Sequence, residues 1–286
     1  MKANKTLIAG LALALTVTAA PALASGGAAH PHEPRGGFSF EGPFGKFDQG
    51  QLQRGYKVYK EVCSSCHSMR LLSFRDLGMP GGPFWYGSRY PNPNDNPYVK
   101  AIAGEFEVDD LDTETGDTIK RKATPADRFP SPYPNAIAAA AGNGGAAPPD
   151  LSVMAKARHG GARYIYSLLT GYRNPPAGLK VGANQHYNPY FSGDLSSAWS
   201  GDRHHVPPGG FIAMPPPLTS DDQVTYDDGT RATVAQMAAD VSAFIAWASE
   251  PKQTERKSLG VAVMLYLALF AALTFVSYRR IWKDAH

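Results

Sequence analysis

Residues 63–67 read Cys63-Ser64-Ser65-Cys66-His67 and contain both cysteines of this 286-residue chain. A C-x-x-C-H run is the attachment signal for a c-type haem. The two-residue gap lets each thiol form a thioether to one of two vinyl groups on the same porphyrin. The histidine next in line is then held under the iron as proximal ligand. Cys63, Cys66 and His67 are therefore the expected cofactor-binding residues, with one haem covalently attached. Other readings of the pair are weaker. A thioredoxin-like redox pair needs a βαβ setting and does not require the histidine. A structural zinc site needs four closed ligands, and no second cysteine pair exists.

The two ends of the chain place the motif in a compartment. Residues 1–24 have the parts of a secretory signal peptide: Lys2 and Lys5, an apolar stretch from Thr6 to Ala20, and Ala22-Leu23-Ala24 as an A-x-A cleavage site. The mature chain is expected to begin near Ser25, and an exported C-x-x-C-H protein reaches the side of a bacterial membrane where haem is attached. Ser258 to Tyr278 holds no charged residue; at about 1.5 Å per residue it spans about 31 Å, enough for one bilayer crossing. Three basic residues flank it on each side, so the positive-inside rule does not decide its orientation. The signal peptide does. The expected organisation is a signal peptide (1–24), a periplasmic haem domain (25–257), a transmembrane helix (258–278) and a cytoplasmic tail (279–286).

Charge is distributed to match. The whole chain carries +3, yet residues 25–250 hold 20 Lys and Arg against 23 Asp and Glu. A mildly acidic domain suits a basic protein partner through steering, and nothing in the pattern points to nucleic acid. The 24 prolines and 29 glycines fall largely between residues 78 and 217, which predicts long irregular loops on a mainly α core.

Along that domain, Gln49–Val62 reads as a helix, with Leu52, Tyr56, Tyr59 and Val62 at three- and four-residue spacing. Gly55 on this face would let another helix come close. Further helices are expected over Leu151–Arg158 and Ala162–Thr170, the second ended by Gly171. Thr233-Val234-Ala235-Gln236 is a capping box, opening a helix with an apolar stripe of Val234, Met237, Val241, Phe244, Ile245 and Ala248. The acidic run Glu105–Asp112 reads as a solvated strand or loop, with a partner surface as the second possibility. His204 and His205 read as a solvated pair.

The second axial position of the iron needs its own ligand, and methionine or histidine there makes an electron carrier. Of seven methionines, Met1 lies in the signal peptide, Met264 in the span and Met237 on the helix stripe. Met69 and Met79 are too close to His67 in sequence, and Met154 sits on a predicted helix. Met214 remains, in Gly209-Gly210-Phe211-Ile212-Ala213-Met214-Pro215-Pro216-Pro217. The prolines stiffen that segment, so it can present a thioether from a loop. Elimination leaves Met214 as the candidate distal ligand, and the resemblance described next makes it the expected one.

With these residues in hand, the chain resembles the cytochrome c1 family, the c-type haem subunit of quinol–cytochrome c oxidoreductase (respiratory complex III). Matching stretches include Gly55–Cys63, Phe129-Pro130-Ser131-Pro132-Tyr133-Pro134-Asn135, Pro148-Pro149-Asp150-Leu151-Ser152, Ala157-Arg158-His159-Gly160-Gly161, Ser167–Tyr172, Ala213–Leu218 and Trp247–Pro251. Residues 80–98 and 183–208 match poorly. Where the family often carries a propionate-reaching arginine, this chain has Ala138–Ala141, leaving Arg128 as the candidate substitute. The resemblance implies a cytochrome c fold, in which an N-terminal and a C-terminal helix cross beside the haem. It implies an electron taken from the Rieske iron–sulfur protein and passed to a soluble c-type cytochrome, beside cytochrome b in a dimeric membrane complex. It assigns no acid–base or nucleophilic chemistry to this chain. A tethered electron carrier acting outside complex III is the alternative.

Overall fold

The computed structural model describes residues 27–284; the signal peptide expected at 1–24 lies outside them, as does the end of the expected tail. Helix α1 (Gln49–Val58) starts where the Asp48 carboxylate accepts the Gln51 N–H at 2.7 Å. The spacing predicts one helix to Val62, but from Tyr59 to Cys63 the chain widens into a π turn. Ser64 explains the change. Its N–H donates to the Tyr59 carbonyl at 2.8 Å, and its hydroxyl donates to the Lys60 carbonyl at 2.7 Å. Such a bulge shifts the helical register where a functional group must be aimed.

Two short helices follow that the sequence reading passes over. Helix α2 (Pro97–Gly104) is capped by Asn96 with proline at its first position. The acidic run then forms β1 (Glu107–Leu111), paired antiparallel with β2 (Thr118–Lys122). Here Asp109 and Asp110 pair with Lys120 and Arg121, so much of the acidic charge is neutralised across the hairpin. Helix α3 (Ala136–Gly142) is capped by Asn135.

The expected helix over Leu151–Arg158 shrinks to α4 (Met154–Ala157), because Leu151 and Ser152 turn their polar groups toward residues 68–71 instead. Helix α5 (Gly161–Thr170) ends at Gly171 as the sequence indicates. Strands β3 (His186–Asn188) and β4 (Gly210–Ile212) make a second antiparallel ribbon.

Helix α6 (Val234–Ser249) is the axis of the core. Its N-cap is Thr233, which accepts from the Gln236 N–H at 3.1 Å. The reciprocal half of the capping box is not made, since the Gln236 amide donates to Asp240 at 2.9 Å. The predicted stripe is buried from Met237 onward, but Ala239, Asp240, Ser242 and Trp247 are buried too. A helix packed by α1 on one side and by α4 and α5 elsewhere has little outer face left. The α1–α6 crossing is closest at Gly55, where an added Cβ would lie 2.1 Å from the Asp240 carbonyl oxygen.

Beside that crossing, Arg54 Nε donates to the fully buried Asp240 carboxylate at 3.0 Å, and Nη1 reaches Asp228 at 2.6 Å. Burial raises the Asp240 carboxyl above its ordinary value against the pull of Arg54. Replacing Arg54 by Leu strands a buried carboxylate and is expected to cost about 3–5 kcal/mol at pH 7.5. Without the guanidinium the Asp240 carboxyl rises further. Between the unfolded value, about 3.9, and the raised folded value, the native form then holds a proton the unfolded chain has lost. Stability of Arg54→Leu therefore improves as pH falls into that window. Urea titrations in detergent at pH 7.5 and 5 check both the size and the sign.

Helix α7 (Gln253–Ile281) is 29 residues long, with a mean hydropathy of 2.4 over its most apolar 18 residues and no residue of that window buried. It exceeds the predicted 258–278 span at both ends. At about 1.5 Å per residue it measures about 43 Å, the thickness of a bilayer with its headgroups. Its charged ends continue as helix because that keeps their backbone groups bonded.

Candidate haem site

The π turn of α1 runs straight into the Cys-Ser-Ser-Cys-His sequence. The Cys63 carbonyl accepts from the His67 N–H at 2.9 Å and from the Cys66 N–H at 3.2 Å, closing the turn on itself. Both cysteines are free and half-buried, in a chain with no other thiol to pair with. The Cys63 thiol is desolvated, and burial with the neighbouring Cys66 pushes it up to about 12, so it stays protonated.

The His67 ring is aimed by a residue far along the chain. Its Nδ1 lies 2.8 Å from the Pro149 carbonyl oxygen. A carbonyl can only accept, so Nδ1 carries the proton and Nε2 keeps a free lone pair. Desolvation lowers the imidazole below its ordinary value, although the Pro149 carbonyl and the Asp150 charge act the other way. The ring is thus neutral and oriented, as a metal-ligating histidine must be.

Asp150 secures that arrangement. One carboxylate oxygen accepts from the Ser68 hydroxyl at 2.7 Å and from the Arg70 N–H at 3.0 Å; the other takes the Ser152 N–H at 2.9 Å. Burial acts to raise this carboxyl, but the hydrogen bonds prevail and hold it below its ordinary value. The Leu151 N–H adds a bond to the Ser68 carbonyl at 2.8 Å. Residues 149–152 therefore clasp residues 67–71, a positioning role that spacing along the chain does not reveal. The only sequence signal is the run Pro148–Ser152 itself.

Met214 lies on a separate loop. Strand β4 delivers it, the Tyr172 hydroxyl at the end of α5 donates to its carbonyl at 3.0 Å, and Leu218 is buried beyond the three prolines. Its side chain is half-buried, and no hydrogen bond joins it directly to the cysteine turn. A groove of about 810 Å³ flanks this loop, with Tyr172 and Pro216 in its wall; Cys63, Cys66 and His67 do not line it. Of the other described methionines, Met69 and Met237 are fully buried in the core, Met154 opens α4 and Met264 lies in α7. Arg128 is exposed and donates to the Arg70 carbonyl at 3.2 Å. His205 pairs with Asp202, and no cluster of metal-binding side chains occurs among the described residues.

Two free thiols and an aimed, neutral imidazole within one turn of a helical core fit a covalently attached haem, and they define a c-type haem protein. Comparison with known proteins narrows the class. The Cytochrome C1 family model matches residues 38–285. Cytochrome c1 of Rhodospirillum rubrum is 43% identical over 94% of this chain and 96% of its own length. A mitochondrial cytochrome c1 haem protein of Solanum tuberosum is 44% identical over 84% of this chain and 81% of its own. Cytochrome b/c1 of Bradyrhizobium diazoefficiens is 40% identical over 98% of this chain, which spans only 40% of that protein's length. The chain belongs to the cytochrome c1 family.

Proposed function

We propose that the chain is the membrane-anchored electron-transfer subunit of quinol–cytochrome c oxidoreductase. The observation that carries the reading is the His67 Nδ1 to Pro149 carbonyl contact, which leaves the Nε2 lone pair free to bind a metal. The haem, when bound, supplies one-electron chemistry between ferric and ferrous iron. Cys63 and Cys66 would hold it by thioethers, and His67 and Met214 would supply the nitrogen and sulfur that ligate its iron. Tyr172 steadies the Met214 loop, and Asp150 steadies His67. The protein's work is to set potential, exposure and docking; the cofactor carries the reaction.

Within this reading the subunit accepts electrons from the Rieske iron–sulfur protein and delivers them to a soluble c-type cytochrome. Helix α7 crosses the cell membrane beside cytochrome b, in a dimeric complex, with the haem domain in the periplasm. The name of the Bradyrhizobium relative, cytochrome b/c1, supports the association with cytochrome b. The net acidity of residues 25–250 favours a basic acceptor.

Extraction from native membranes through a C-terminal affinity tag tests the proposal. The expected result is that b-type haem and quinol–cytochrome c reductase activity purify with the chain. If it arrives alone with one covalent haem, it is a tethered carrier and the assignment to complex III fails.

A further inference from the structure

Two exposed aromatic segments meet the chain where the membrane helix begins, and neither has a place in the haem site. The first is the turn Gly42-Pro43-Phe44-Gly45. Lys257, in the first turns of α7, donates from Nζ to the Phe40 carbonyl at 2.6 Å and to the Gly42 carbonyl at 2.7 Å. That grip ties the turn to the residue preceding Ser258, where the uncharged stretch starts. Phe44 at its tip is 76% exposed.

The second segment follows Gly81, whose added Cβ would lie 3.8 Å from the Pro251 carbonyl oxygen, two residues before α7. Phe84 packs edge-on against Tyr56 in the core at 5.6 Å, while its neighbours Trp85 and Tyr86 face solvent at 41% and 38%. The Gln49 side chain donates to the Pro83 and Trp85 carbonyls at 3.2 and 2.7 Å, joining this loop to the start of α1. That start follows Phe47, which stacks on Phe40 at 4.5 Å. Both segments are thus fastened to one patch of the domain, around the first turns of α7.

Both segments are held by half-buried anchors, Phe84 in one and the Lys257 grip in the other. Tryptophan and tyrosine concentrate at membrane–water boundaries, where an apolar ring and a polar edge are both satisfied. Seven residues from Pro251 to Ser258 rise about 10 Å. The headgroup zone adds about 5–8 Å on each side of the hydrocarbon. Residues 82–85 close a turn, the Trp85 N–H donating to the Gly82 carbonyl at 3.3 Å, which keeps Trp85 and Tyr86 near the Gly81 approach to Pro251 at the foot of α7.

We propose that Phe44, Trp85 and Tyr86 form an aromatic collar that inserts into the lipid headgroup boundary around the first turns of α7. The collar seats the haem domain directly on the bilayer and restricts its swing about the short Pro251–Lys252 link. The ligand is a phospholipid surface, and the inference rests on α7 being a membrane span.

Because thioether formation consumes both native cysteines, a new cysteine is the only free thiol of the haem-loaded chain. Nitroxide labels are placed singly in Phe44→Cys, Trp85→Cys and Tyr86→Cys. Leu267→Cys in mid-span and Ile137→Cys, at a side chain 83% exposed on α3, serve as references. The full chain is reconstituted in phosphatidylcholine–phosphatidylglycerol vesicles. Relaxation by oxygen, which prefers lipid, is compared with relaxation by an aqueous nickel chelate. The collar predicts oxygen-to-nickel ratios at 44, 85 and 86 severalfold above that at 137 and below that at 267. Ratios at all three matching position 137, with 267 deep in lipid, overturn the collar and assign the patch to a protein partner. A water-like ratio at 267 overturns the membrane-span reading, and the collar with it. Retention of the covalent haem band in each variant shows that the chain has folded, and three independent collar positions keep the test decisive if one variant fails.

Discussion

Gly55→Ala is expected to abolish most of the haem-loaded protein, although alanine is the better helix former. On α1 the substitution gains about 1 kcal/mol of helix propensity. Against that, the new methyl would lie 2.1 Å from the Asp240 carbonyl oxygen and 2.7 Å from the Phe244 Cβ. The first of these is backbone in a helix buried on nearly every side, so rotation of a side chain does not relieve it. Overpacking typically costs about 1–3 kcal/mol where side chains can adjust; here two helices must separate, and the loss is expected at the upper end or beyond. Separation also displaces the Arg54–Asp240 pair one residue away and the π turn that aims Cys63. Gly50→Ala on the same helix is the control, since its Cβ would meet nothing closer than 3.5 Å. It is expected to be neutral or stabilising by about 0.4–1 kcal/mol. Haem-stained denaturing gels of membranes read both variants. Equal haem incorporation in the two would show that the crossing tolerates a methyl and that Gly55 is not its closest point.

That crossing was open to sequence reasoning because a glycine on an apolar helix face has a local physical meaning. The cysteine turn was legible for the same reason: thioether spacing and the following histidine are chemistry written within five residues. Features built from distant partners were not. No local signal says that the Pro149 carbonyl will take the His67 Nδ1, 82 residues away. The same holds for Asp150, whose carboxylate reads as an ordinary surface charge until Ser68 and Arg70 are folded against it. Capping was half legible: Thr233 caps α6, but Gln236 prefers the buried Asp240 to the N-cap amide, a choice that tertiary burial makes. The periodic stripe on α6 underestimated its burial because small residues such as Ala239 and Ser242 carry little hydropathic weight yet admit close neighbours. Helices α2 and α3 announced themselves by Asn96-Pro97 and by Asn135 before an alanine run, and a stricter reading of caps would have found them.

Met214→Leu is expected to lower the midpoint potential on the order of 0.1 V or more, within the roughly 0.8 V range that axial ligation commands. The thioether is a soft donor that favours reduced iron; leucine offers no lone pair, and water or another side chain must take the position. Covalent attachment depends on Cys63 and Cys66, so the haem band of a denaturing gel should be unchanged. Met214→Lys should lower the potential as well, because an amine favours the ferric state. Tyr172→Phe separates ligation from positioning. It removes only the 3.0 Å hydrogen bond to the Met214 carbonyl. A net hydrogen bond is worth about 0.5–1.5 kcal/mol, which for one electron corresponds to about 20–65 mV if it is lost from a single oxidation state. A redox titration of the three variants should therefore give two large drops and one small change. An unaltered potential in Met214→Leu would remove Met214 as a ligand. A drop in Tyr172→Phe as large as in Met214→Leu would mean that the sulfur is held in place by the loop's anchor more than by the iron.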